Sequence, residues 1–239
     1  MPPVDVLAFA PHPDDAELLC GGTLARLARE GRRTAIIDLT RGEMGTKGSV
    51  ELRAAEAANA AEVLGVAVRE NLGLPDSHLE NTPATRAQLV SVIRRLRPQV
   101  VIAPAPRGRH PDHRVAAQLV RDACFLSGIR KMDLGREPHR PRKLLHAITY
   151  REDHVKPTFV VDISAEFDTK LKAVACYQSQ FEGVIQAGEV YPNGEPLAEV
   201  IRHQSAHYGA LIRTQYGEPF WTHETMRVDD VMDLQVETF

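Results

Sequence analysis

Short apolar segments alternate with helical patterns through the first half of the chain, and this alternation limits the folds open to it. Three of the segments are rich in Val, Ile and Ala and are typical of strands buried on both faces: 4–10, 34–39 and 100–104. A further strand is predicted near 67–72. Helices are predicted over 16–30, 51–64, 84–97 and 112–127. The pattern predicts an α/β fold with a mostly parallel, Rossmann-like sheet and helices on both faces.

The second half is less regular. Strands are predicted near 145–150 and 158–163, helices near 165–177 and 197–214, and an apolar-aromatic stretch lies at 218–221. A segment rich in Lys and Arg, 130–143, is typical of an exposed connection. We expect one domain over 1–239, in which a Rossmann-like half, 1–128, is completed by an extension over 144–239.

Charge and hydropathy exclude several classes of protein. The 239 residues carry 29 Lys and Arg against 32 Asp and Glu, so the strongly basic surface of a nucleic-acid-binding protein is absent. No stretch approaches the ~18 apolar residues of a membrane span, and the N-terminus lacks the pattern of a signal peptide. We therefore expect a cytoplasmic protein with no nucleic-acid or membrane partner. Cys20, Cys124 and Cys176 are odd in number and far apart, which predicts buried thiols in a reducing compartment.

The loop after the first strand lacks the glycines of a dinucleotide-binding turn. It reads Ala-Pro-His-Pro-Asp-Asp-Ala-Glu over 10–17, and its first glycine is Gly21. A Gly-x-Gly-x-x-Gly turn is expected there in a nucleotide-binding Rossmann fold. Asp38, where such a fold keeps its ribose-binding acid, is therefore interpreted as a strand-end or capping residue.

Two polar loops carry metal-ligating residue types. His12 and Asp15 lie three residues apart at the first strand-to-helix turn, and a second loop after the fourth strand contains His110 and His113. In a sheet ordered 3-2-1-4, strands 1 and 4 are neighbours, and the crevice at their carboxyl ends is where such sheets bind ligands. The sequence therefore predicts a metal site at this edge.

Two histidines and one carboxylate match a catalytic zinc centre that keeps a position open for water. Such an ion lowers the pKa of its bound water to about 7, and a neighbouring carboxylate that is not a ligand can take the proton. An alternative is that each loop is only a helix start, with Asp14 or Asp15 in the first loop and Asp112 in the second capping the following amides.

The two motifs, Pro11-His12-Pro13-Asp14-Asp15 and His110-Pro111-Asp112-His113, resemble the zinc-dependent N-deacetylases of the PIG-L or LmbE-like family. Four further stretches resemble the bacillithiol-biosynthesis branch, whose members remove acetate from N-acetylglucosaminyl malate: 40–46, 71–76, 177–181 and 216–220. The resemblance implies a small N-acetylglucosaminyl substrate, one Zn²⁺ per chain with Fe²⁺ as an alternative ion, and a homo-oligomer.

Roles follow from the resemblance. His12, Asp15 and His113 match the metal ligands, and Asp14 matches the general base. His110 would stabilise the oxyanion, and Asp112 would orient His110 or His113 without binding the ion.

Arg53 matches a substrate-binding position of the family, and a tyrosine in a later loop is a second candidate for contact with the substrate. Arg53 would hold sugar hydroxyls, and a pair with Glu56, three residues on, is the alternative. Tyr191, in the loop 183–196, is a candidate lid residue that reaches the substrate.

One departure bears on the substrate. The helix before Tyr208 offers only Arg202 as a permanent charge for malate carboxylates. If Arg202 does not face the cleft, a neutral N-acetylglucosaminide is favoured. Three alternatives remain: an amidase of a thiol conjugate, a chitooligosaccharide deacetylase and a catalytically silent sugar-binding module. Asp14 argues against the last, because a binding site has little use for a spare base.

Five other histidines have no partner spacing and are interpreted as surface or core residues: His78, His139, His146, His154 and His223.

Overall fold

One sheet contains strands from both halves of the chain. The computed structural model describes residues 2–148, 155–181 and 196–236. Its strands are Val6–Ala10 (β1), Thr34–Thr40 (β2), Val68–Leu74 (β3), Val100–Pro104 (β4), Lys143–Ala147 (β5), Phe159–Asp162 (β6) and Gly217–Trp221 (β7). They lie in the order β3-β2-β1-β4-β5-β7-β6. The α/β class and the predicted 3-2-1-4 order are confirmed.

The predicted helices are present with shifts of a few residues at their ends. They are Asp15–Arg29 (α1), Val50–Leu64 (α2), Pro83–Leu96 (α3), Pro111–Leu126 (α4), Phe167–Ala175 (α5) and Leu197–Leu211 (α7). The one-turn helix Gln178–Phe181 (α6) and a 3₁₀ turn, Val231–Asp233, were not predicted, because elements this short have no measurable apolar period. The stop of α2 follows from Gly65, whose φ of 70° is left-handed.

The five strands from β3 to β5 are parallel, and β7 is the antiparallel strand that joins β5 to β6. The apolar-aromatic stretch 218–221 belongs to β7, which the sequence did not identify as a strand. Its Phe220 stacks on Phe159 of β6 at 5.4 Å between ring centroids. The predicted strand over 145–150 starts two residues earlier, and its last two positions lie outside the described residues.

Alternate residues of β1 face two separate cores. Leu7 and Phe9 pack with the apolar side chains of α3 and α4, whereas Val6, Ala8 and Ala10 pack with those of α1 and α2. All five are buried. A strand covered on both faces explains why its sequence is continuously apolar, and the predicted placement of helices on both faces is confirmed.

Two smaller predictions have different outcomes. Cys20 and Cys124 are buried, but Cys176 is partly exposed because it follows the last turn of α5, so that part of the prediction is wrong. The segment 130–143 is largely exposed, as expected. Among the residues described, none of the helices combines the length and the apolar character needed to span a bilayer.

Candidate metal centre

Two imidazoles converge on one carboxylate oxygen at the carboxyl ends of β1 and β4. His12 precedes α1 and Asp15 begins it, while His113 lies in the first turn of α4. Oδ2 of Asp15 lies 3.1 Å from Nδ1 of His12 and 3.1 Å from Nε2 of His113. All three residues are buried. The structure therefore brings together side chains from two loops about a hundred residues apart in the chain.

Two further carboxylates contact the other ring nitrogen of His12. Its Nε2 lies 3.1 Å from Oδ1 of Asp76 and 3.3 Å from Oδ2 of Asp112. Burial lowers the pKa of His12, but hydrogen bonds to Asp112, Asp15 and Asp76 outweigh it and raise the pKa to about 12. The pKa of Asp15 is held well below its usual range because His113 and His12 outweigh the effect of burial. This part of the site favours a positive charge.

The donor set matches what a zinc-like cation requires. Bonds of about 2.0–2.2 Å place neighbouring tetrahedral ligands roughly 3.3–3.6 Å apart, close to the 3.1 Å separations around Asp15. One ring nitrogen of His12 faces Asp15 and the other faces carboxylates, which is the usual support of a metal-binding imidazole. A second group of described residues with compatible spacing consists of His12, His110 and Asp112. In that group Nδ1 of His110 and both carboxylate oxygens of Asp112 accept main-chain N–H groups, whereas in the first group only Oδ2 of Asp15 does, so the first group is the better candidate.

Asp14 is buried and strained, and it binds an arginine. Its φ of 115° is left-handed, which costs a non-glycine residue about 1–3 kcal/mol and is typical of functional sites. Oδ2 accepts a hydrogen bond of 2.7 Å from Nη2 of Arg53. Burial raises the pKa of Asp14 to about 7 against the opposing charge of Arg53. The side chain makes no capping bond to α1, so the capping alternative is wrong for Asp14.

The other two carboxylates do not cap their own helices either. Oδ2 of Asp15 accepts the main-chain N–H of His12, which precedes the helix. Asp112 accepts the N–H groups of Ser77 and Leu79 at 2.8 and 3.4 Å. Its ring contact is with His12, and not with His110 or His113 as predicted. Asp112 thus joins the loop after β3 to the metal site.

His110 occupies the N-cap position of α4. Its Nδ1 accepts the N–H of Asp112 at 3.2 Å, which leaves Nε2 to carry the proton. The ring lies edge-on to His12, with 4.8 Å between centroids. Burial and the charges of His12 and His113 lower the pKa of His110. A neutral His110 with a proton on Nε2 can donate a hydrogen bond towards the site.

Arg53 holds the first metal loop, residues 10–17, in place. Besides Asp14, its guanidinium donates to the carbonyl oxygens of Pro13 and Gly42, at 3.1 and 3.4 Å. The alternative, a pair with Glu56, is not found among the described contacts: the Glu56 carboxylate accepts the N–H and hydroxyl of Ser179, from the stretch 177–181. Arg53 is buried, and sugar binding by it stays a prediction.

Asp38 lies within β2 and pairs with Arg69. The two groups form two hydrogen bonds of 2.9 Å. Arg69 also binds Glu17, which in turn accepts the phenol of Tyr177 at 3.1 Å. No capping bond of Asp38 is found among the described contacts, so the capping interpretation is wrong. Asp38 lies near the end of β2, two residues before Thr40, and belongs to a buried network with Arg69 and Glu17.

Of the histidines without partner spacing, three contact main-chain carbonyl oxygens: His78 that of Asp76, His139 that of Pro98 and His146 that of Pro104. They make structural contacts, as interpreted, although Nε2 of the buried His146 has no hydrogen-bond partner among the described residues. His223 is exposed and packs edge-on to Trp221. His154 and Tyr191 lie outside the described residues.

Asp76 is the site residue that sequence reasoning missed. Its Oδ2 accepts the N–H of Met44 at 2.9 Å, and its own N–H donates to Glu43 at 2.9 Å. Burial raises the pKa of Asp76, but His12 and the main-chain N–H groups of Met44 and Ser77 outweigh it, so the pKa is lowered. A Pro-Asp pair directly after β3, at the same edge as the two metal loops, was the available signal.

Comparison with known proteins places the chain among deacetylases. Residues 7–124 match the family model described as PIG-L, GlcNAc-PI de-N-acetylase. The diacetylchitobiose deacetylase of Thermococcus kodakarensis is 35% identical over 89% of this chain and 80% of its own length. The probable N-acetyl-alpha-D-glucosaminyl L-malate deacetylase 2 of Bacillus cereus is 26% identical over 92% of this chain and 97% of its own length. The crystal structure of the conserved protein TT1542 from Thermus thermophilus is similar, with a TM-score of 0.84 and 43% sequence identity. The match covers 95% of this chain and 98% of that chain.

Proposed function

The chain belongs to the PIG-L family of de-N-acetylases, and from this membership we propose that it is a metal-dependent amide hydrolase that removes acetate from small N-acetylglucosaminyl compounds. The observation that carries the proposal is the single oxygen of Asp15 between Nδ1 of His12 and Nε2 of His113, each 3.1 Å away. These three residues would hold the ion, with Zn²⁺ preferred by the donor types and Fe²⁺ as the alternative.

The neighbouring residues supply proton transfer and hydrogen bonding. A bound divalent ion acidifies water and polarises the acetamide carbonyl. Asp14, held by Arg53 at 2.7 Å, would accept the water proton and return it to the leaving amine. His110, with a proton on Nε2, would donate to the oxygen that becomes negative as the carbonyl is attacked.

The packing of Arg202 favours a neutral substrate. Its Nη1 donates to the hydroxyl of Tyr216 at 3.1 Å, and its guanidinium lies 5.3 Å from the centre of the Phe167 ring. Phe167 follows Glu166, which pairs with Arg29 at the end of α1 opposite Asp15. None of the described contacts of Arg202 is with the metal loops, and we propose a neutral glycoside, such as a disaccharide of N-acetylglucosamine, as the preferred substrate.

N-acetylglucosaminyl malate is the second candidate. The near full-length similarity to a malate deacetylase supports it, as do the four stretches shared with the bacillithiol branch. An anionic aglycone would then need a cation other than Arg202.

Acetate release tests the proposal. The protein is loaded with Zn²⁺ and incubated with diacetylchitobiose, N-acetylglucosaminyl malate and N-acetylglucosamine, and Asp14→Asn serves as the matched control because it keeps all three proposed metal ligands. We expect acetate release from diacetylchitobiose with the highest kcat/KM, and a fall of about 10²- to 10⁴-fold in the control. Zinc binding without acetate release from any of the three would refute deacetylation and favour a sugar-binding module. Release of a larger acid from a thiol conjugate, without acetate release, would favour the amidase alternative.

We also propose a homo-oligomer, as the resemblance implies. Large apolar side chains are exposed near the end of the described chain, among them Val231, Met232 and Val236. Light scattering of the purified protein measures the number of subunits, and a monomer mass at assay concentration would refute the proposal.

A further inference from the structure

A fully buried ion pair links the second half of the chain to α1. Nζ of Lys170, in α5, lies 2.5 Å from Oε1 of Glu218, in β7, and the two residues are 2% and 1% exposed. Glu218 belongs to the stretch 216–220, to which no chemistry has been assigned. Burying two charges is expensive, and apolar residues of similar volume often replace such pairs without loss of stability. We therefore expect the Lys170–Glu218 pair to have a role other than stabilising the fold.

The carboxylate of Glu218 lies at a break in α1. Cys20, in the second turn, has φ −145° and ψ 19°, which are not helical values. Beyond the break, the N–H of Gly22 donates to Oε1 of Glu218 at 2.9 Å. The N–H and hydroxyl of Thr23 donate to Oε2 at 2.7 and 2.6 Å. Glu218 thus caps the second part of α1 as though a new helix started there.

The ammonium of Lys170 satisfies the other side of the break. In an unbroken helix, the carbonyl oxygen of Leu18 accepts the N–H of Gly22, four residues on. Here it accepts Nζ of Lys170 at 2.9 Å. The Lys170–Glu218 pair thus takes the place of the hydrogen bond that would join the N–H of Gly22 to the carbonyl oxygen of Leu18 in a continuous helix.

The break separates residues 15–19 from the rest of α1. This first turn follows Asp14 and begins with Asp15, and its direction decides where both carboxylates point. We propose that Lys170 and Glu218 are positioning residues, which hold α1 in its broken form and so place Asp14 and Asp15 against His113. The proposal rests on the proposed function, because it gives those two carboxylates their roles.

Replacing the pair by apolar residues tests the proposal. In Lys170→Met/Glu218→Leu, neither charge is left unpaired, and the amides of Gly22 and Thr23 can return to the carbonyls four residues before them. We expect a folded protein whose Zn²⁺ dissociation constant, measured by competition with a chelator, rises about tenfold or more, since supporting residues are typically worth 10- to 100-fold. We expect kcat to fall by about 10- to 100-fold with KM changed less than about threefold, as for displaced catalytic groups.

Arg94→Met is the matched control. Arg94 is also a buried cation, at 3% exposure, and it donates to carbonyl oxygens in the segment 127–136. It should lose stability and keep the zinc affinity and kcat of the parent. Thr23→Val, which removes only the 2.6 Å bond to Glu218, provides a milder variant if the double substitution does not fold, and it should show a smaller change in the same two quantities.

The outcomes separate the two proposals. Folded variants whose zinc affinity and kcat equal those of the Arg94→Met control would overturn the positioning role. If the parent protein binds Zn²⁺ but releases no acetate, the proposed function fails, and the zinc affinities of the variants still decide whether the ion pair positions Asp15.

Discussion

Replacing Asp76 by Asn is expected to weaken zinc binding although it removes none of the proposed ligands. In the parent, Oδ1 of Asp76 lies 3.1 Å from Nε2 of His12, and Oδ2 accepts the N–H of Met44 at 2.9 Å. Once Nδ1 of His12 binds an ion, Nε2 carries the proton, so both carboxylate oxygens face donors. An amide has one oxygen and one NH₂ group, and the variant must therefore place a donor against one of these two N–H groups.

The size of the effect follows from the lost contact. A hydrogen bond to a charged group is worth about 1.5–3 kcal/mol. At roughly 1.4 kcal/mol per factor of ten, this corresponds to a rise of about 10- to 100-fold in the zinc dissociation constant, the range typical of residues that support a ligand. Asp112, at 3.3 Å from the same Nε2, remains as a second acceptor. We therefore expect the lower end, about tenfold, for the single variant.

The assay is competition for Zn²⁺ between the protein and a chromophoric chelator of known affinity, at fixed pH and ionic strength. Asp122→Asn is the control, because Asp122 lies on α4 and accepts from Asn81 and Gln118, away from the metal site. The double variant Asp76→Asn/Asp112→Asn should lose more affinity than the two single changes add up to, since either carboxylate can partly serve for the other. A folded Asp76→Asn protein with the affinity of the Asp122→Asn control would show that Asp76 does not support His12.

Three further outcomes are expected. His113→Ala should lose Zn²⁺ and activity together, and metal analysis with a normal zinc content would remove it from the ligand set. His110→Ala should keep its zinc content while kcat falls by about 10²- to 10³-fold, as for the loss of one oxyanion donor; loss of zinc would instead favour the alternative ligand group. Gly22→Ala should destabilise the fold by about 1–3 kcal/mol in urea denaturation, because a Cβ there would lie 2.8–2.9 Å from Ile163; an unchanged transition midpoint would contradict the close packing at this position.

The proximity of the two metal loops could be predicted from the sequence, because it depends mainly on the order of the parallel strands. Right-handed crossovers limit the order of parallel strands, and the carboxyl ends of neighbouring strands meet at one edge. The second half was harder to predict. β7 is five residues long and antiparallel, with a proline and an acid in it, so it carries none of the apolar continuity that marks β1.

Contacts within the site were predicted poorly where they depend on distant segments. Sequence reasoning offered Arg53 the substrate or, as the alternative, a partner three residues away, and it gave Asp112 partners in its own loop. In the structure Arg53 reaches Asp14, 39 residues away, and Asp112 reaches His12, 100 residues away. Local spacing ranks neighbours along a helix, but it carries no information about which loops share the edge of a sheet.

Glu218 shows why such contacts matter for function. The break at Cys20 leaves the amides of Gly22 and Thr23 without helical partners, and nothing near them in the chain supplies a buried acceptor. The sheet supplies it, because β7 lies beside β5 and places an acid against α1, almost 200 residues from the amides it binds. The proposed mechanism requires Asp14 and Asp15 to be held in a fixed orientation relative to His113, and in an unbroken α1 the helix axis alone would set that orientation. The extension after residue 144 can therefore act on the proposed metal site without supplying any of its ligands.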